Sequence, residues 1–261
     1  MESGRRVGRL TKGPANYRSH DYRFLMRRWR IVCKKAGLRI KKVTEADGFP
    51  CYEISSRVLS DENGIYLSAG IHGDEPGSTE GLLNWAEKNH SRLCKLPLLI
   101  YPCLNPWGLV NNSRGDARGT DLNRIWERPQ HPYLRKVFEG VRGKNFKLAM
   151  TLHEDFDGQG IYLYEPFAGG RSDGWAETIL KAGQSFFPLD PRKKIEGRNA
   201  RNGIIRPRPN NPPEEGIPEA LYLYHHHAPR TFTVETPSES DLSIRVIAHR
   251  MMLEAAIGLV G

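Results

Sequence analysis

The sequence predicts a single α/β domain with a mixed, partly parallel central sheet flanked by helices. Short apolar runs at 65–69, 98–104, 146–152 and 231–237 have the length of strands and end at Gly, Pro or polar residues. Segments with helical spacing of apolar residues separate them, and strands that alternate with helices build a partly parallel sheet. At 261 residues, with no internal repeat and no second domain evident, residues 1–261 read as one domain able to bury a proper core.

Residues 22–35 read as an amphipathic helix with Leu25, Trp29, Val32 and Cys33 on one face and Gly37 as its stop. Residues 38–43 and 51–56 read as paired strands around the Asp47-Gly48 turn. The run 65–69 is apolar and lies between Gly64 and Gly70, so it reads as a buried strand, with a helical pattern carrying Leu82, Leu83, Trp85 and Ala86 after Pro76. The polar stretch 105–124 after the strand at 98–104 reads as a long functional loop. Residues 133–141 and 172–187 read as helices and 160–165 as a further strand. Residues 192–216, rich in Pro, Arg and Asn, read as a mobile loop over the site. A closing amphipathic helix over 241–259 presents Ile244, Ile247, Met251, Met252 and Ile257.

The most informative residues are His72 and Glu75, at the point where a strand ends and a helix begins. Open α/β sheets place their sites there. An imidazole and a carboxylate three residues apart on a tight turn can reach one metal ion, and a catalytic zinc takes three protein ligands plus water. Alone, the pair reads first as a packed histidine and a helix-start acid, since a four-residue pattern occurs often by chance. A second strand-end histidine, His153, and a strand-end carboxylate, Glu235 before Pro237, add weight to a site. The loop between them holds Arg114, Arg118 and Arg124, whose guanidinium forks suit carboxylates and oxyanions.

These pieces together resemble the zinc carboxypeptidase (funnelin-type) family, with the related succinylglutamate desuccinylase and aspartoacylase group. The matching residues are His72-xx-Glu75, Asn105-Pro106-x-Gly108, Arg114 with Asp121-Leu122-Asn123-Arg124, His153, and Thr233-Val234-Glu235, in the family's order. Size and the spacing from Arg114 to Asp121 look most like the short bacterial murein-peptide amidase members. The resemblance implies that His72, Glu75 and His153 bind one zinc ion. It implies that Glu235 is the general base, that Arg114 polarises the scissile carbonyl, with Arg118 as its competitor, and that Asn123 and Arg124 grip a substrate carboxylate. The implied function is hydrolysis of a C-terminal peptide bond by zinc-activated water. The alternative is zinc-dependent deacylation of N-acyl amino acids, so the expected partner is a peptide or N-acyl amino acid with a free carboxylate.

The family's mobile tyrosine has no counterpart in 206–216, and Tyr222 and Tyr224 are assigned no catalytic role. Glu219, Ala220 and Leu221 fall where related enzymes shape the side-chain pocket. The tract His225-His226-His227, read as extended, would point alternate side chains to opposite faces and is not read as a second site. His90 and His131 read as surface residues, and His20 and His249 lack companion ligands. Glu154 is the rival base, but adjacent residues on a strand face opposite ways.

No apolar run approaches the ~18 residues of a membrane span, and the first residues lack a secretory apolar stretch. Cys33, Cys51, Cys94 and Cys103 show no CxxC spacing and read as reduced or packed thiols of a cytoplasmic protein. The net charge of +9 concentrates in residues 1–42, which hold fourteen Lys or Arg against Glu2 and Asp21. Without a nucleic-acid motif beside it, this charge reads as a solvated helix face that also draws acidic substrates.

Overall fold

A computed structural model describes residues 17–127, 129–167, 169 and 172–260. Residues 1–16, part of the expected basic segment, lie outside the described residues. The chain forms one ten-stranded mixed sheet in the order β1-β2-β4-β3-β5-β10-β6-β9-β8-β7. Its centre is made of β3 (Gly64–Ala69), β4 (Leu98–Tyr101), β5 (Phe146–Asp155) and β10 (Thr231–Pro237), with parallel pairing throughout. Every residue of β3, β4 and β10 is buried, which is why these strands read as continuous apolar runs.

Alternation along β3 divides the interior in two. Ile65, Leu67 and Ala69 join a core with α1 (Tyr22–Ala36), α2 (Pro76–Lys88), α5 (Trp175–Gly183) and α7 (Leu242–Gly258), where Trp29, Trp85 and Met252 are fully covered. Tyr66 joins the opposite core with Tyr101, Trp126, Tyr133 and Leu223, beneath α4 (Pro132–Val141) and α6 (Glu219–His226). Each large apolar side chain so buried contributes roughly 1.5–3 kcal/mol.

Helix α1 follows its sequence signals closely. Asp21 caps it by accepting from Phe24 N at 2.8 Å, Gly37 ends it at φ 68°, and Leu25, Trp29, Val32 and Cys33 are buried. Arg28 ties it to α2 through Glu80 and Glu87, at 2.5 and 2.8 Å. The hairpin β1 (Arg39–Ala46) and β2 (Phe49–Ser55) turns at Asp47-Gly48, as expected, but its strands run closer to the turn.

Several expectations are corrected. The strand expected over 98–104 stops at Tyr101, where Pro102 cannot donate to the ladder. The helix expected over 172–187 is confined to α5. The stretch 105–124 contains α3 (Pro106–Asn111) and a 3₁₀ turn (Leu122–Arg124). Residues 192–216 are not one loop, because β7 (Lys194–Ile195), β8 (Arg198–Arg201) and β9 (Ile204–Ile205) extend the sheet beyond β6 (Tyr162–Tyr164). The buried face of α7 holds Arg245, Val246, His249, Met252 and Leu253, while Ile244 is exposed. Met252 and Ile257 are buried as expected, and Arg245 and His249 share that face with Val246, Ala248, Leu253 and Ala256. The histidine tract ends a helix instead of lying extended.

Among the described residues no helix is long and apolar enough to cross a membrane. All four cysteines are free.

Candidate functional site

The turn after β3 is built by backbone contacts that explain its small residues. Leu104 N donates to Ala69 O at 3.0 Å, Asn105 N to Gly70 O at 2.7 Å, and Gly73 N to Ser113 O at 3.0 Å. A Cβ on Gly73 would overlap the backbone of Gly108 and Leu109, so both glycines of this contact are steric requirements. Asn105 caps α3 by accepting from Gly108 N at 2.8 Å, and its amide donates to Gly115 O at 2.9 Å. The Asn105-Pro106-x-Gly108 motif thus fastens the loop carrying Arg114 against the turn carrying His72.

Glu75 occupies the N-cap of α2, but its carboxylate caps no backbone group of that helix. It faces the two histidines: His72 Nδ1 lies 2.6 Å from Oε1 and His153 Nδ1 lies 3.1 Å from Oε2. The two imidazole rings are 5.0 Å apart and edge to face. One ligating atom from each of His72, Glu75 and His153 lies within 4.8 Å of the others, and all three residues are buried. Asp121 closes the opposite side, with Oδ1 3.2 Å from His72 Nε2.

The charges interlock. Burial opposes ionisation of His72, but Glu75 and Asp121 outweigh it and raise its pKa to about 9. Burial wins at His153, whose pKa is lowered despite Glu75. Glu75 also meets a burial penalty, and the two histidines overcome it and hold its pKa far down. Arg114 lies beside this cluster, with Nη1 3.8 Å from Glu75 Oε1 and Nε 3.1 Å from Asp121 Oδ2. Arg118 is exposed, and its backbone N–H is bound by Asp116. The loop therefore brings Arg114, not Arg118, to the histidines.

Glu235 pairs with His153 in the β5–β10 ladder. It is buried, and burial followed by repulsion from Glu75, Glu196 and Asp155 raises its pKa well above the usual carboxylate range. Thr151 and Thr233 share its face and meet at 2.8 Å between their hydroxyls. Glu154 and Thr236 occupy the other face, where Thr236 donates to Glu154 at 3.0 Å. Glu154 also accepts from Gly77 N at 2.7 Å and Arg245 at 2.8 Å. The expectation that Glu154 points away from the site is met.

Asn123 is buried and accepts from Glu219 N at 2.9 Å, so it docks α6. Arg124 donates to the Asn123 carbonyl at 3.1 Å and lines a pocket with Tyr164, Glu196, Leu221 and Thr233. Of the residues expected to shape a side-chain pocket, Ala220 and Leu221 line it. Glu219 instead turns inward and accepts from Tyr66 at 2.7 Å and Ser68 at 2.6 Å.

Sequence reasoning assigned no role to Asp121, Tyr164 or Glu196. Asp121 sat in the motif already quoted. Tyr164 and Glu196 stand on or beside short strands without readable periodicity. One histidine lies elsewhere than the sequence places it, while His249 is in neither group of possible metal ligands among the described residues. His131 is buried and lies 3.4 Å from Asp47, in a group with Asp116. His249 is fully buried, 3.0 Å from the Thr236 hydroxyl, with burial holding its pKa near 3.

With this geometry in view, the chain can be set against known proteins. A structure from Shewanella baltica described as a candidate metallopeptidase superposes with a TM-score of 0.82, at 19% identity, covering 93% of this chain and 94% of that one. A metallo-carboxypeptidase from Pseudomonas aeruginosa, in complex with (2-guanidinoethylmercapto)succinic acid, superposes at 0.58, with 18% identity over 90% of this chain and 69% of that one. The fold is that of the metallo-carboxypeptidases. The profile of the succinylglutamate desuccinylase/aspartoacylase catalytic domain matches residues 61–148 of this carboxypeptidase-like chain. A candidate carboxypeptidase 2 from Arthroderma benhamiae is 25% identical over 171 residues, 59% of this chain but only 30% of that protein's length. Profile, relative and solved structures agree with the resemblance seen in the sequence.

Proposed function

We propose that the chain is a zinc-dependent carboxypeptidase that hydrolyses the last amide bond of a substrate ending in a free carboxylate. The observation that carries this reading is the buried trio His72, Glu75 and His153, with ligating atoms within 4.8 Å of one another and Glu235 on the adjoining strand. The donor set fits the ion: two imidazoles and one carboxylate make a three-ligand site with room for a fourth, exchangeable position. Zinc, when bound, supplies Lewis acidity that polarises a carbonyl and makes water nucleophilic near neutral pH.

The chain's own residues do the rest. Glu235 takes a proton from the attacking water and delivers it to the leaving nitrogen as the C–N bond breaks, giving one carboxylate and one amine. Arg114 donates hydrogen bonds to the carbonyl oxygen as charge builds on it. Arg124 binds the substrate's terminal carboxylate, helped by the Asn123 amide nitrogen, while the Asn123 oxygen stays on Glu219 N. The Pseudomonas aeruginosa structure carries a substituted succinic acid, a dicarboxylate, which supports a carboxylate grip in this fold.

The second reading, a deacylase of N-acyl amino acids, is favoured by the profile match over 61–148 and needs the same residues. A panel of short peptides and N-acyl amino acids, assayed with zinc-loaded protein, separates the two. Release of C-terminal residues from peptides is expected. Turnover confined to N-acyl amino acids would favour the deacylase, and no turnover of either class would overturn both.

A further inference from the structure

The pocket beside the cluster is lined by three arginines: Arg124, Arg198 and Arg208. Most buried or partly buried arginines elsewhere among the described residues are matched with carboxylates, Arg250 being an exception. Arg28 meets Glu80 and Glu87, Arg192 meets Asp155 and Asp190, Arg206 meets Glu165 and Glu177, and Arg245 meets Glu154. None of the three pocket arginines has such a partner among the described residues. Arg124 and Arg198 donate only to backbone carbonyls, of Asn123 at 3.1 Å and Asn211 at 3.3 Å. The one acid in the lining, Glu196, is engaged by the Tyr164 phenol at 2.8 Å.

The pocket's position ties it to the site. Thr233 stands two residues before Glu235 and so shares its face of β10, and Tyr164 pairs with Thr233 across to β6. Arg124 comes from the 3₁₀ turn, Arg198 from β8 and Arg208 from the segment after β9, so three separate parts of the chain bring a guanidinium to this one pocket. Pro218, Ala220 and Leu221 add an apolar part to the lining. A terminal residue held by its α-carboxylate at Arg124 would place its side chain in the pocket that Arg198 and Arg208 also line. An unpaired guanidinium is best matched by a planar carboxylate, which it binds bidentately.

We propose that this pocket selects a terminal residue with a carboxylate side chain, held by Arg198 and Arg208. This rests on the carboxypeptidase reading above. It separates the substrate's two carboxylates: Arg124 takes the one at the chain end, and Arg198 and Arg208 take the one on the side chain.

The test uses zinc-loaded full-length protein and peptides that differ only in their last residue: Glu, Gln, Leu or Lys. The native enzyme should prefer Glu over Gln by roughly 10- to 100-fold in kcat/KM, the range for charge-assisted hydrogen bonds. Most of that preference should appear in KM. The double variant Arg198→Gln/Arg208→Gln should lose it while retaining turnover of the Gln and Leu peptides. Arg198→Glu/Arg208→Glu should turn the preference toward Lys, an outcome that a misfolded protein cannot give. Equal rates on Glu and Gln peptides, or a Glu preference that survives the double variant, would overturn the assignment while leaving carboxypeptidase activity standing. Absence of turnover on all four peptides would instead count against the carboxypeptidase reading itself.

Discussion

Glu235 and His153 stand opposite each other in the parallel β5–β10 ladder, which puts their neighbours Thr236 and Glu154 together on the reverse face. Two acids with similar sequence contexts therefore have different surroundings. Glu235→Gln should keep the metal and lose roughly 10²–10⁴-fold in kcat. Glu154→Gln should retain far more turnover per folded molecule. Metal content and kcat measured on both variants check this. Normal turnover by Glu235→Gln would remove it as the base.

The metal prediction follows from the trio's geometry. The protein should bind one zinc per chain, and His153→Ala should fall to near zero because two remaining donors make a poor site. Metal analysis after purification without added metal gives the count. A chelator should abolish activity, and zinc should restore it. His153→Ala protein with full metal content would show that the ligand set is wrong.

Much of this site was legible because its residues are clamped to strand ends and tight turns, where local sequence decides geometry. His72 and Glu75 are separated by one turn, and the Asn105 cap and Gly108 contact are short-range demands. The pocket was not legible, because β7, β8 and β9 have two to four residues each and too little length for a period-2 pattern. The expected face of α7 is met at Met252 and Ile257 and missed at Ile244. Arg245 and His249 also lie on its buried face, against Glu154 and Thr236 of other elements, and no apolar pattern in the helix marks them.

That inward pair makes a stability prediction. Arg245 meets Glu154 at 2.8 Å with both side chains almost wholly covered. Arg245→Met would leave a buried carboxylate without its cation, costing about 3–5 kcal/mol. The double variant Arg245→Met/Glu154→Leu removes both charges and should recover part of that loss. Denaturant midpoints of the three proteins decide the matter, and a double variant no better than Arg245→Met would argue against the pair as the cause.

Arg124 makes a substrate prediction. If it grips the terminal carboxylate, amidating that group should sharply reduce turnover by the native protein and matter much less in Arg124→Ala. Comparing kcat/KM for free and amidated forms of one peptide measures this. Equal rates on both forms by the native protein would refute the grip.

Glu219 makes a prediction about pH and stability. Burial raises its pKa to about 7 although Ser68, Tyr66 and the charge of His72 pull the other way. Unfolded, it would titrate near its model-peptide value of 4.5. Between the two values the folded state holds a proton that the unfolded state has released, so stability falls as pH rises. Its contribution is complete below the unfolded pKa and is lost as pH climbs through about 7, with a slope approaching about 1.4 kcal/mol per pH unit in between. Glu219→Gln cannot ionise, and its side-chain oxygen can still accept from Tyr66 and Ser68. The Tm difference between Glu219→Gln and the native protein should therefore move in the variant's favour from pH 5 to pH 8. A difference that stays constant over that span would mean that Glu219 does not titrate there.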